Sequence, residues 1–403
     1  MLAATPIKNP WNKTRRMSSE QTAVARPQTM TGPLGAPSHV LIDLDALSAN
    51  WRLLRDMAQV GASHAVDCAA AVKADAYGLG LGQVAPVLAA AGCTRFFVAH
   101  AGEALELRSL LPDPAIHIHL LHGPMGDETG ALAESAITPV LNDLGQIARW
   151  QAEARRLGRP LPAIVHLDTG MNRLGLPDQE TARLAEDPAR LDGISLACIM
   201  SHLATADEPE RPEVQQQLER FRALTARLPR APLSLANSGG IALGPEFAFD
   251  IVRPGIALYG GRPAARGANP MAEVVRLRGG ILQVREIDAP GAVGYGASHS
   301  VTPGSRIATV AVGYADGLPR AAGRPRMALL DGWQVPIIGR VSMDLITLDV
   351  TTVPAAIARP GAMVDLIGGG LCLDEAAEAA GTISYELLTG LGNRYARHYV
   401  GGA

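Results

Sequence analysis

The chain has 403 residues, of which 47% are hydrophobic and 19% charged, and its formal net charge is -3. Length and composition fit a globular protein with one large and one smaller domain. The scattered arginines form no basic stripe of the kind nucleic-acid binding requires, and no run of about 18 apolar residues reads as a membrane-spanning helix. Small-molecule chemistry is therefore expected.

Residues 1–38 are rich in Pro, Thr, Ser and Arg and lack the apolar core of a secretory signal. They read as a disordered extension, or as an upstream start before Met17 or Met30, with an organellar transit peptide as the alternative. Cys68, Cys93, Cys198 and Cys372 are far apart and show neither CxxC nor CxxH spacing. They are expected to be free thiols of a cytoplasmic protein, with no metal site.

Between residues 39 and 272, short β-branched runs alternate with helical patterns. The runs are 66–72, 95–99, 115–121, 137–141, 163–167, 194–201, 232–236 and 249–252. In the segment "EVQQQLERFRALTARL", Val214, Leu218, Phe221, Leu224 and Leu228 recur at spacings of three and four, which lines one helix face. Eight such units predict an α/β fold, a parallel (β/α)8 TIM-type barrel. The rival, an open doubly wound sheet, would show a glycine-rich dinucleotide turn after its first strand, and none is present. From residue 273 to 403 the rhythm changes. Alternating runs such as "GGILQVREI", "SRIATVAVG", "WQVPIIGRVSMDLITLDV" and "AMVDLIG" predict a C-terminal, mainly β domain.

In a closed parallel barrel the residues after each strand build the active site. Here they include Lys73 and Tyr77 after the first strand, Asp168 and Arg173 after the fifth, and His202 and Asp207 at the sixth. Asn237 and Ser238 follow the seventh, and Arg253, Gly255 and Ile256 the eighth. Of 36 basic residues only three are lysines, and Lys8 and Lys13 lie in the extension. Where arginine fills almost every basic position, the lone Lys73 points to chemistry arginine cannot do: losing a proton and attacking a carbonyl. Across the rim, "ANSGG" and "RPGIALYG" offer the Ser238 hydroxyl and the amides of Ser238, Gly255 and Ile256 to a phosphate. A Schiff-base lysine facing a phosphate cup describes a pyridoxal 5'-phosphate site. Taken alone, His202 reads as a hydrogen-bonded core histidine, Asp168 as the closure of the "DTG" turn, and Asp207 as a helix cap.

Nine motifs in order, "AVKADAYGLG", "DTGMNRLG", "SHLATAD", "ANSGG", "RPGIALYG", "VGYG", "GYADGLPR", "GRVSMD" and "SYELLTGLGNRYAR", resemble the alanine racemase family of pyridoxal phosphate enzymes of fold type III. The resemblance runs from about Val40 to the C-terminus. It implies interconversion of L- and D-alanine through a pyridoxal phosphate aldimine on Lys73, supplying D-alanine for peptidoglycan or feeding alanine catabolism. It further implies that Tyr77, Ser238, Gly255, Ile256 and Tyr385 hold the phosphate, with Asn237 beside them. Arg253 would face the pyridine nitrogen with His202 behind it. Because an arginine only donates, that nitrogen stays unprotonated and the ring is a weaker electron sink, which favours racemisation over transamination.

By the same resemblance the active sites are shared in a homodimer, where Lys73 serves one face of the substrate and Tyr295 of the partner subunit the other. A tyrosine's ordinary pKa is about 10, so nearby Arg253 and His202 are expected to favour the phenolate. Arg173 and Met343 would meet the substrate, and Tyr314 and Asp344 would line the entrance. The strand in "HVLIDLDAL", about 39–45, is expected to join the C-terminal domain. Two positions depart from the family. His166 stands where many members carry a carbamylated lysine that orients the arginine, so a bound anion or another acid is expected to orient Arg173. Ser234 stands where relatives often have histidine. The alternatives are a racemase of serine or of broader specificity, a non-enzymatic pyridoxal phosphate carrier protein, which lacks a β domain, and a barrel decarboxylase, whose acidic partner for the ring nitrogen is replaced here by Arg253.

Overall fold

A computed structural model describes residues 29–31, 35–265, 267–321 and 326–402. Two compact units are present, Leu47–Ala272 and a second one formed by residues up to Ala46 with Glu273–Ala403. No helix among the described residues is long and apolar enough to cross a membrane.

The unit Leu47–Ala272 is built on eight parallel strands. The first is split into Asp67–Cys68 and Ala70–Ala71, and the second piece pairs with Arg95–Val98. Pairing continues through His117–Leu120, Ile137–Leu141, Leu161–His166, Ile194–Met200 and Leu233–Ser234. The eighth, Ile251–Val252, closes the ring on the first, with Ile251 opposite Asp67 and Val252 opposite Cys68. The amide of Arg253 donates to the Ala236 carbonyl at 2.9 Å and so links the seventh strand to the eighth. Every residue of Ile137–Leu141 is buried, as a parallel strand covered on both faces requires. Ala69, Phe97, Val140, Ile164, Cys198, Met200 and Ile251, from six of the strands, fill the inside in the layered manner of closed barrels.

Helix Pro212–Thr225 buries Val214, Leu218, Phe221 and Leu224, as its periodicity predicts, but it ends before Leu228. Asp207 does not cap it. The residue before the helix is Arg211, without a side-chain cap, and the Asp207 carbonyl instead accepts from the Ala265 amide at 2.8 Å.

In the second unit, strand Ser38–Asp43 lies between Val275–Glu286, antiparallel, and Ala396–Val400, parallel. The sequence "DLDAL" that follows turns into helix from Leu44 onward. The long strand Val275–Glu286 pairs with Met363–Ile367 along its first half and Arg306–Val310 along its second. Those pairings close an antiparallel ring through Ile346–Asp349, Trp333–Ile338 and Met327–Leu330. Gly279 sits at the change of partner, where a Cβ would stand 2.5 Å from Val310 Cγ1, so only glycine fits. Thr29–Thr31 adds an edge strand against Ala396–Val400. Residues 1–28 and 32–34 of the proposed extension lie outside the described residues.

Candidate active site

Lys73 follows the first barrel strand and opens the turn Lys73–Gly78, which winds left-handed. Its φ/ψ angles are 55/52 at Ala74, 53/50 at Asp75, 53/51 at Ala76 and 58/34 at Tyr77. A side chain in that region costs roughly 1–2 kcal/mol per residue, so the surrounding contacts must impose the turn. Glu103 is one such contact. Its Oε1 accepts from the Ala74 amide and its Oε2 from the Ala99 amide, both at 2.7 Å. Asp75 Oδ1 accepts from the Leu81 amide at 2.6 Å, and the Tyr77 ring stacks on Tyr259 at 4.5 Å. Tyr259 in turn donates its hydroxyl to the Ala71 carbonyl at 2.9 Å. Burial, helped by the charge of Arg173 and opposed by Glu103, lowers the pKa of the Lys73 amine from its ordinary value.

On the same rim, Asn237 caps helix Ser238–Leu243 by accepting from the Gly240 amide at 2.9 Å. Ser238 Oγ accepts from the Gly255 amide at 2.9 Å and the Ala257 amide at 3.3 Å, which knits the loops after strands seven and eight together. A Cβ on Gly255 would stand 2.2 Å from Tyr77 Oη, so the three loops meet at a point only glycine allows. The amide of Gly255 is thus spent on Ser238. No acceptor among the described residues faces the amides of Ser238, Gly239 and Ile256. Converging N–H donors beside two hydroxyls fit a phosphate group.

Arg253, 5% exposed, is pinned from several sides. It donates to Ser234 Oγ, to the Ser201 carbonyl at 2.6 Å and to the Leu235 carbonyl at 3.4 Å. It also lies 3.4 Å from His202 Nδ1 and 5.9 Å above the Phe97 ring. Burial pulls its pKa down to about 10, which still leaves it a cation at neutral pH. His202 is driven well below the ordinary histidine value by burial and then by Arg253. It is neutral, with Nδ1 placed to accept.

His166 is buried, shares a hydrogen bond of 2.8 Å with Asn142 Oδ1, and has its pKa lowered by burial to about 3. It brings no negative charge to the position. Arg173 is exposed, and no acid pairs with it among the described residues. Its charge is nevertheless felt at Lys73, His166 and His202. Asp168 closes its turn as expected, with Oδ1 accepting from the Gly170 amide at 2.9 Å and the Asn172 amide at 3.1 Å.

The remaining candidates lie in the second unit, Tyr295, Tyr314, Met343 and Asp344 on turns and Tyr385 in the helix Ser384–Thr389. Tyr295 is 70% exposed, and Met343, Tyr314 and Tyr385 also face outward. The Tyr314 amide donates to the Ser342 carbonyl at 3.0 Å and the Ala315 amide to the Met343 carbonyl at 2.9 Å, so the turns of Tyr314 and Met343 are adjacent. Arg394 bridges Asp344 at 2.8 Å and Asp316 at 3.2 Å. Glu103, Asn142, Tyr259 and Arg394 escaped the sequence reading. Their contacts are with backbone groups or with residues distant in sequence, and no local sequence signal marks them.

A closed parallel barrel, with an amine and an anion cradle at its mouth and an attached β unit, defines a class of barrel enzyme. Residues 42–263 match the family description "Alanine racemase, N-terminal domain" and residues 274–399 match "Alanine racemase, C-terminal domain". The alanine racemase of Rhodospirillum rubrum is 51% identical over 366 residues, covering 91% of this chain and 96% of that one. A catabolic alanine racemase of Agrobacterium fabrum is 48% identical, covering 91% and 93%. The crystal structure of alanine racemase from Bartonella henselae with covalently bound pyridoxal phosphate is similar at a TM-score of 0.85 and 39% identity, covering 91% of this chain and 100% of that one. The chain belongs to the alanine racemase family.

Proposed function

We propose that the chain interconverts L- and D-alanine at the barrel mouth, with pyridoxal 5'-phosphate as cofactor and two bases on opposite faces of the substrate. The reading rests most on Lys73, the single lysine among the described residues, half-buried with a lowered pKa on the rim that also carries the Ser238 and Gly255 cradle. Lys73 would bond the cofactor's aldehyde. Tyr77, Ser238, Ile256 and Tyr385 would hold its phosphate, with Gly255 tying the two loops together through Ser238 and Asn237 fixing the helix start beneath it. When bound, the cofactor draws electron density from the substrate's α-carbon and makes its hydrogen acidic.

Arg253 can only donate, and its tethers to Ser234, Ser201 and Leu235 keep it in place, so whatever faces it must accept and stay unprotonated. His202, neutral behind it, adds no competing charge. The Lys73 amine, held less basic by burial and Arg173, can take a proton at Nζ from one face of the α-carbon. Tyr295 Oη, supplied by a second copy of the chain in a homodimer, serves the other face. Arg173, without an internal acid, is free to meet the substrate's carboxylate. Met343, Tyr314 and Asp344 bound the entrance and restrict it to a small side chain. The product serves wall-precursor supply or alanine catabolism.

Borohydride reduction of the holoenzyme followed by peptide mapping tests the assignment. The cofactor should be fixed to Lys73. A label elsewhere, or none, removes Lys73 from the site, and faster turnover of L-serine than of L-alanine removes alanine as the preferred substrate.

A further inference from the structure

His166 is the last residue of strand Leu161–His166, at the barrel mouth, and the loop that leaves it carries Arg173 and then returns to it. The Leu176 amide donates to the His166 carbonyl at 2.8 Å and the Asp168 amide to the Leu176 carbonyl at 3.0 Å. Gly175, at φ +103, packs so closely that a Cβ there would stand 3.1 Å from His166 Cδ2 and 2.8 Å from the Asp168 nitrogen. Arg173 is therefore tethered two residues from a contact with the His166 ring, and its charge is felt at that ring. The only acid of the loop 167–176, Asp168, spends its Oδ1 on the Gly170 and Asn172 amides.

The protonation pattern of the ring follows from its other neighbour. Asn142 directs Nδ2 to the Leu121 and Val140 carbonyls, both at 3.0 Å, and carbonyls only accept. The amide cannot be turned over without losing both bonds, so Oδ1 is the atom that stands 2.8 Å from His166 Nδ1. That oxygen accepts, which puts the N–H of the ring at Nδ1. Burial, with a pKa of about 3, keeps the imidazole neutral at pH 7, and a neutral imidazole has a single N–H. Nε2 is thus a bare acceptor. It has no hydrogen-bond partner among the described residues, yet it is not one of their enclosed, unpartnered polar atoms, so it borders accessible space.

We propose that His166 is a positioning residue for Arg173: Nε2 accepts one N–H of the guanidinium and so turns the remaining donors of the fork to the substrate's carboxylate. The guanidinium holds its donors in one rigid plane, and fixing one of them sets the direction of the rest. Asn142 supplies the other half of the device, because an Nε2–H ring would set donor against donor. The inference rests on the reading of Arg173 as the partner of the substrate's carboxylate.

Two amide substitutions separate the two ring nitrogens. In His166→Asn the short amide reaches the place of Nδ1 and keeps the bond to Asn142 but offers nothing to Arg173. In His166→Gln the longer amide presents its oxygen at the place of Nε2 with its NH2 toward Asn142. The KM for L-alanine should rise about tenfold in His166→Asn with kcat nearly unchanged, and should stay within about threefold of the unmodified chain in His166→Gln. A residue that served only to hold Asn142 would leave KM unchanged in His166→Asn, and that result, or a rise as large in folded His166→Gln, overturns the proposal. A second readout needs no turnover. Ring-15N histidine NMR of the holoenzyme with propionate, which has the carboxylate of alanine but no amine, should show the Nδ1–H tautomer at His166, assigned by its absence in a position-166 variant. Its Nε2 resonance should move downfield in Arg173→Ala, as an unprotonated nitrogen does on losing a donor. An Nε2–H tautomer, or a resonance unmoved by Arg173→Ala, overturns the proposal, and where misfolding of one variant removes the kinetic comparison this measurement decides. Failure of the unmodified holoenzyme to racemise alanine would tell against the reading of the reaction, and the tautomer and the response to Arg173→Ala would still decide the role of His166.

Discussion

His166 occupies a position where the family resemblance leads one to expect a carbamylated lysine, and the exchange removes a charge as well as a shape. Held by Asn142 in a buried site, its pKa is about 3, against about 6.5 for a histidine in an unfolded chain. Between those values the unfolded chain binds a proton that the folded chain does not. The residue therefore costs nothing above about pH 6.5, and below it stability falls by ~1.4 kcal/mol for each pH unit of acidification until the folded value is reached. His166→Gln can still bond Asn142 but cannot take up a proton, so its melting temperature should fall less than that of the unmodified chain between about pH 7 and about pH 5. Equal falls would mean that His166 is not buried neutral. At this scale legibility was uneven. Lys73 was visible because lysine is so scarce in the chain, and the missing lysine at position 166 was visible as an absence. The two serines that fix Arg253 were hidden in different ways: Ser234 read only as a substitution near Asn237, and Ser201 acts through its carbonyl, which any residue would provide.

Among the elements, the eight parallel strands were legible because buried strands write continuous β-branched runs. The interruption of the first at Ala69 and the two-residue length of the last two were not, since those depend on how the ring closes. The turn Lys73–Gly78 was the least legible. "KADAYG" carries a lysine and two alanines, good right-handed helix formers, yet Ala74, Asp75, Ala76 and Tyr77 are left-handed. Tertiary contacts override local preference there, and Glu103 ties the turn to the end of the second strand through both carboxylate oxygens. Glu103→Gln leaves one acceptor for two amides and turns an NH2 group toward an N–H, so it should cost about 1–3 kcal/mol of stability. Displacement of Lys73 with the loosened turn should lower kcat by about tenfold. Because Glu103 raises the Lys73 pKa, the limb of the pH–rate profile set by Lys73 should also move to lower pH. Unfolding and kinetics with wild-type values in this variant would show that the turn is held by other contacts.

At the scale of the whole molecule, the second unit leaves Tyr295, Tyr314 and Met343 exposed on its turns, and exposed apolar side chains that gather in a patch mark interaction sites. On the proposed reading Tyr295, Tyr314 and Met343 complete the barrel mouth of another copy, and the site can be split genetically. Lys73→Ala and Tyr295→Phe should each be nearly inactive, because each removes one of two bases, and neither change should unfold a chain in which Lys73 is only half-buried and Tyr295 is exposed. The two variants are then unfolded and refolded together. In a closed two-fold dimer whose site pairs Lys73 of one copy with Tyr295 of the other, a mixed dimer carries both lesions in one site and neither in the other. Random pairing makes about half of the dimers mixed, and one of the two sites in each is intact, so about a quarter of the wild-type activity should return. A site confined to one copy predicts no recovery, since every chain carries a lesion. Mixed dimers confirmed by mass but without regained activity would detach Tyr295 from the neighbouring barrel and leave the second face of the substrate to another residue.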